Sequence, residues 1–119
     1  QSVDSQKDLE AVRKEFVNRI DKPWGYEKMI AVTDKYITTQ LYLMKDCWIS
    51  QHYHRQRDET IHIFSGEGDI YLEGERIKVG KGDIVHIMPG KRHKIFSREP
   101  LTMLCYSTPL LDDYTPSFD

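Results

Sequence analysis

The stretch His52-Tyr53-His54-Arg55-Gln56-Arg57-Asp58-Glu59 decides how this chain is read. His52 and His54 stand two residues apart. Successive side chains of a β-strand alternate between faces, so this spacing puts both imidazoles on one face. Glu59 follows across a tight turn, at the start of the next β-rich run, within reach of the same face. Far along the chain stands His93, just after the Pro89-Gly90 turn. Three imidazoles and one carboxylate form a nitrogen-and-oxygen donor set suited to a divalent transition metal. Such a set leaves one or two positions open, which is what a catalytic metal needs. A lone His-x-His in a strand is more often a pair of hydrogen-bonded structural histidines. The four residues together are far more specific.

Outward from that stretch, strand signals continue in both directions. Tyr36 to Met44 is rich in β-branched and aromatic residues. Alternation there puts Thr38, Gln40 and Tyr42 on one face and Ile37, Thr39, Leu41 and Leu43 on the other. Trp48 to His54 and Thr60 to Phe64 are the next strands, the latter stopped by Ser65-Gly66. Asp69 to Leu72 and Arg76 to Val79 flank Glu73-Gly74-Glu75, a hairpin signal. Asp83 to Met88, His93 to Ser97 and Leu101 to Ser107 complete the set. Short strands broken by Gly and Pro turns, with no helices between them, predict an antiparallel sandwich or barrel.

The spacing of these residues resembles the cupin superfamily of small β-barrels. The first cupin motif, G-x5-H-x-H-x3or4-E-x6-G, is matched by His52, His54, Glu59 and Gly66, with Asp46 at the first Gly. The second, G-x5-P-x-G-x2-H-x3-N, is matched by Gly82, Gly90 and His93. There Met88 replaces the Pro, with Pro89 one residue later, and Ser97 replaces the Asn. The resemblance implies a single cupin barrel, a double-stranded β-helix of jelly-roll type. It carries the metal-ligand role to His52, His54, Glu59 and His93. A narrower resemblance is to the cupin domain of type II phosphomannose isomerases. It rests on Lys22-Pro23-Trp24-Gly25-Tyr26-Glu27, on His54, Arg57, Glu59, Ser65 and Gly66, and on Ser107-Thr108-Pro109-Leu110-Leu111-Asp112-Asp113. His52 stands where that family usually has Gln.

The rest of the chain sets the frame. With 119 residues it is sized for one domain, large enough to bury a core without disulfide staples. Hydrophobic residues make up 39% and charged residues 30%, a folded rather than disordered composition. Seventeen Lys and Arg against 19 Asp and Glu leave a net charge of -2, which gives no general pull toward nucleic acid or an anionic membrane. No helix-turn-helix or basic recognition helix is present. Apolar runs are strand-sized, so no membrane span is expected, and the polar stretch Gln1 to Lys7 carries no apolar core of a signal peptide. Cys47 and Cys105 lie far apart and read as free thiols in a reducing cytoplasm. Residues 5 to 20 read as a helix, with Ser5 and Asp8 as a capping box and Leu9, Val12, Phe16 and Ile20 as one apolar stripe. The expected organisation is therefore a helical extension over 1–21, a β-barrel over 22–113 and a surface tail over 114–119.

The resemblance implies a metal-dependent isomerase or epimerase of a sugar phosphate, mannose-6-phosphate-isomerase-like, or of a nucleotide sugar. Another metal-dependent cupin enzyme, a dioxygenase or lyase, and a non-enzymatic carbohydrate-binding cupin are the alternatives, because the same fold and ligands serve all three. Zinc, iron, manganese, nickel and cobalt all accept the donor set. Isomerisation also needs a proton carrier. Arg57, His86 and Lys94 are candidates for the catalytic machinery, with His62 and Tyr42 also open; alternation turns His62 away from the face of Ile61 and Ile63. Arg57 and Arg92 are candidates to grip a phosphate. Trp24 and Tyr26 are candidates to stack on a sugar or to plug the barrel. Exposed sheet edges need covering, so a homodimer is expected.

Overall fold

The computed structural model describes residues 19–109 and 114–117. Eleven strands run through them: β1 (Arg19–Lys22), β2 (Gly25–Val32), β3 (Ile37–Leu43), β4 (Trp48–Tyr53), β5 (Glu59–Ser65), β6 (Glu67–Leu72), β7 (Glu75–Gly80), β8 (Ile84–Ile87), β9 (His93–Ser97), β10 (Leu101–Ser107) and β11 (Thr115–Pro116). They form two antiparallel sheets. One has the order β1-β2-β3-β10-β5-β8 and the other β11-β4-β9-β6-β7. No α-helix occurs among the described residues, and none there is long and apolar enough to cross a membrane.

Local chemistry explains the turns. Glu73 and Gly74 both take positive φ, 49° and 85°, as a two-residue type I′ hairpin loop requires, so β6 and β7 pair directly from Leu72↔Glu75. Gly25 opens β2 at φ 152°, and a Cβ there would strike the Tyr42 carbonyl of β3. Only glycine lets those two backbones approach so closely.

Alternation builds the core. Leu43 of β3, Ile61 and Ile63 of β5, Ile70 of β6, Ile87 of β8, Ile95 of β9 and Leu101 and Met103 of β10 are all almost fully buried between the sheets. The opposite faces carry Gln40, Tyr42, His62, Phe64 and Lys94.

Two expectations change at the ends. The part of the helical extension before residue 19 lies outside the described residues. Its last turn does not form, since Arg19 and Ile20 belong to β1 and pair with Lys28 and Glu27 of β2. Lys22 to Glu27 forms the turn and flanks of that hairpin, because Ile20 and the β2 residues find cross-strand partners that outweigh local helix propensity. The expected surface tail also contains structure, since Thr115 and Pro116 pair with Tyr53 and His52 of β4.

Candidate metal centre

β4 begins as a regular partner of β9, with Ile49 opposite Ile95, but His52 stands opposite His93. Three steps on β4 match two on β9, so β4 holds one extra residue, a β-bulge. The bulge lets Ile49 and His52 both face inward despite their odd separation. It also turns the Ser50 carbonyl toward the imidazole, which it meets at Nδ1 at 2.8 Å. His54 follows two residues on, just past the strand end, on the same face as His52. The turn after it is tied by Gly90, whose amide donates to the His54 carbonyl at 2.7 Å. Glu59 opens β5 and faces inward ahead of Ile61 and Ile63.

These elements bring His52, His54 and His93 together. One ring nitrogen from each lies within 4.8 Å of the others, and all three side chains are buried. Ring centroids are 4.2 Å apart for His52 and His93, 5.0 Å for His52 and His54, and 5.7 Å for His54 and His93. The Glu59 carboxylate is 3.3 Å from His93 Nε2 and 3.9 Å from His54 Nε2. His93 Nδ1 meets the Lys91 carbonyl at 2.9 Å, as His52 Nδ1 meets that of Ser50. A carbonyl only accepts, so both Nδ1 atoms carry a proton, which leaves Nε2 of each ring as the atom available to a metal. Imidazoles that bind metals are commonly oriented in this way.

The protonation states suit a cation as well. Burial, and then the neighbouring His93, pull the His52 pKa down to about 4, so the ring is neutral at physiological pH. Burial alone would raise the pKa of Glu59, but the hydrogen bond from His93 and the charges of His93, His54 and Arg57 bring it below the ordinary value. A buried carboxylate and three converging imidazole rings form a polar donor set that a cation would satisfy. The three-histidine cluster could therefore hold a metal ion.

The cluster forms one wall of a cavity of about 480 Å³ between the sheets. Lys22, Trp24, Glu27, Met29, Thr39, Leu41, Arg57, Cys105 and Tyr114 line the remainder together with core aliphatics. Of the residues singled out by sequence, Arg57 and Trp24 therefore share the cavity with the four polar residues of the cluster. Others lie elsewhere. Tyr26 stacks on Tyr42 at 5.4 Å with Arg19 over its ring. Lys94 sits over the rings of Trp48 and Tyr71 on the outer face of the second sheet. His86 Nε2 meets Asp58 Oδ1 at 2.6 Å in an exposed pair. Arg92 pairs with Glu73 at 3.3 Å. His62 alternates to the outer face of β5, as its spacing predicts. Glu27, Lys22 and Tyr114 were missed. Glu27 and Lys22 belong to the Lys22–Glu27 motif already noted, and alternation puts Glu27 on the same face of β2 as Met29, which also lines the cavity. For Tyr114 the sequence holds no comparable signal.

The cupin domain family matches residues 42–107, more than half of the chain. The chain belongs to the cupin family. Over 68 residues it is 35% identical to an uncharacterized protein of Aquifex aeolicus (strain VF5), covering 57% of this chain and 51% of that one. It is 38% identical over 60 residues to the uncharacterized protein MJ1618 of Methanocaldococcus jannaschii, covering 49% and 48%. This cupin chain thus spans about half the length of the curated relatives it matches. Among solved structures, KdgF from Halomonas sp. superposes with a TM-score of 0.75 at 21% identity, covering 81% of this chain and 91% of that one. Pac13 of Streptomyces, a nucleoside dehydratase, gives 0.74 at 17% identity, covering 84% and 83%. An RmlC-like cupin from Shewanella frigidimarina gives 0.74 at 16%, covering 81% and 86%. At such identities these likenesses establish the cupin fold and nothing finer.

Proposed function

We propose that this cupin is a metal-dependent enzyme that isomerises or epimerises a sugar phosphate or nucleotide sugar. The observation that carries the reading is the convergence of His52, His54, His93 and Glu59 on one wall of a cavity whose other walls present two cations, a further carboxylate and an indole. His52, His54, Glu59 and His93 would hold the ion. A divalent ion bound there supplies Lewis acidity to adjacent substrate oxygens and offsets negative charge that develops on them. Arg57 and Lys22 bind the anionic group of the substrate. Trp24 offers its ring face to the sugar. Glu27 is the cavity carboxylate outside the metal set, so it takes the proton from one carbon and returns it to the next. The aliphatic walls, among them Leu41, Ile61 and Ile95, exclude water from that transfer.

A lyase is the second reading, favoured by the nucleoside dehydratase Pac13 among the structural neighbours. Elemental analysis of the purified protein, followed by a turnover screen over hexose phosphates, tests the proposal. One bound ion and a chelator-sensitive interconversion of an aldose and a ketose phosphate, or of two epimers, is the expected result. Loss of water from the sugar would establish the lyase. Oxygen consumption with bound iron would establish a dioxygenase. Tight sugar binding that a chelator leaves unchanged would establish a binding module.

A further inference from the structure

Tyr114 lies in the segment that the sequence assigned to a surface tail, yet its ring stacks on the His52 imidazole, with centroids 4.8 Å apart and planes 25° from parallel. It also meets His54 edge-on at 6.1 Å and lines the cavity. The next residues fix it there. Thr115 and Pro116 pair with Tyr53 and His52, the Ser117 amide donates to the Gln51 carbonyl at 3.0 Å, and Gln51 Nε2 donates to Ser117 Oγ at 3.1 Å. Pro116 stands opposite His52 and has no N–H to give, a residue suited to an edge strand.

The Tyr114 side is 51% exposed, so its own burial does not account for its place. What it covers does. His52 has the His93 ring at 4.2 Å, tilted by 58°, and the Tyr114 ring stacked at 4.8 Å, while the Ser50 carbonyl holds its Nδ1. Without Tyr114 that ring face would open to solvent, and the Ser50 hydrogen bond and the His93 ring alone would hold the imidazole.

We infer that Tyr114 is a positioning residue of the metal centre. Its ring face holds the His52 imidazole with Nε2 toward the other donors and closes that flank of the site. The C-terminal strand thereby completes a site whose other groups come from β4, β5 and β9. This inference rests on the metal reading of the cluster but on no particular reaction.

Cobalt(II) titration of the full chain tests it, with visible absorption as the readout of coordination and a thermal melt of the metal-free protein as the readout of fold. Tyr114→Ala should weaken cobalt binding about tenfold to a hundredfold, the range for groups that orient a ligand. Its visible band should shift while the metal-free melt stays close to that of the parent. Tyr114→Phe, which keeps the ring and loses the hydroxyl, should bind as the parent does. If Tyr114→Ala does not fold, Tyr114→Leu is measured in its place, with the same loss expected because it restores bulk without an aromatic face. Parent-like cobalt affinity and spectrum in the Ala or Leu variant overturns the inference and leaves the metal reading standing. A Phe variant as weak as the Ala variant overturns it too, and assigns the effect to the phenol oxygen. A parent protein that binds no cobalt, zinc or iron overturns the metal reading and this inference with it.

Discussion

The backbone amide of Asp46 donates to the carbonyl of Ser97 at 2.8 Å, and so joins two positions at which this chain departs from the cupin motifs. Asp46 holds φ at 61°, the left-handed region that glycine adopts without strain. Aspartate is among the few other residues that visit it. Ser97 is fully buried; its hydroxyl accepts from the Cys47 amide at 3.1 Å and donates to the Met44 carbonyl. A short buried hydroxyl thus ties the turn between β3 and β4.

Substitutions at this turn should move stability in opposite directions. Asp46→Gly should stabilise the protein by up to about 1 kcal/mol, the left-handed strain relieved less the extra entropy of an unfolded glycine. Ser97→Ala should cost about 1–3 kcal/mol, because the partly buried Cys47 amide loses its acceptor and the Met44 carbonyl its donor. Urea unfolding of the three proteins checks both. A destabilised Asp46→Gly, or a Ser97→Ala as stable as the parent, would contradict this account of the turn.

Metal retention should divide the histidines by face. His54→Ala and His93→Ala should each lose the ion on dialysis while circular dichroism still reports β-structure. His62→Ala, on the outer face of β5, should retain it. Elemental analysis decides; full occupancy in the His54/His93 double variant, or loss in His62→Ala, refutes the assignment.

The metal-free protein should lose stability as pH falls from about 6.5 toward 4. The folded pKa of His52 is lowered to about 4 from 6.5, so within that window the unfolded chain binds the extra proton. Unfolding is then favoured as acid is added, by up to about 1.4 kcal/mol per pH unit for one such group. Glu59, also lowered, adds to the loss below its ordinary pKa of 4.5. Thermal melts of chelator-treated protein across this range, with His52→Gln as the comparison, measure the effect. An equally steep decline in the Gln variant would remove His52 as its cause.

The two thiols should react at different rates. Cys105 is 7% exposed, and burial, with Glu59 and Glu27 nearby, raises its pKa well above the ordinary thiol value. Cys47 is only partly buried. Since the thiolate is the nucleophile, iodoacetamide at pH 8 should label Cys47 in the native protein and Cys105 only after denaturation. Peptide mass mapping reads the sites, and native labelling of Cys105 at the rate of Cys47 would show that the cavity wall opens.

Much of this was legible in one dimension. Period-two alternation separated Ile37, Thr39 and Leu41, which line the cavity or core, from Thr38, Gln40 and Tyr42. The same rule put His52 with His54 and turned His62 outward. Turn chemistry placed the Glu73-Gly74 hairpin. These are local properties: strand period and φ preference are set by a residue and its immediate neighbours.

What the chain alone could not settle was which distant groups meet. Arg57, His86, Lys94 and Arg92 look alike in sequence, as charged residues flanking the motifs. Strand pairing places only Arg57 at the cavity and leaves the others with Asp58, the Trp48 and Tyr71 rings, and Glu73. The bulge in β4 is equally invisible locally, since it exists only as a mismatch with β9. Tyr114 reaches His52 across 62 positions of chain because β11 pairs with β4, a match made by register between remote segments. Sequence fixes which side chains can share a face; the packing of two sheets against each other fixes which faces share a cavity.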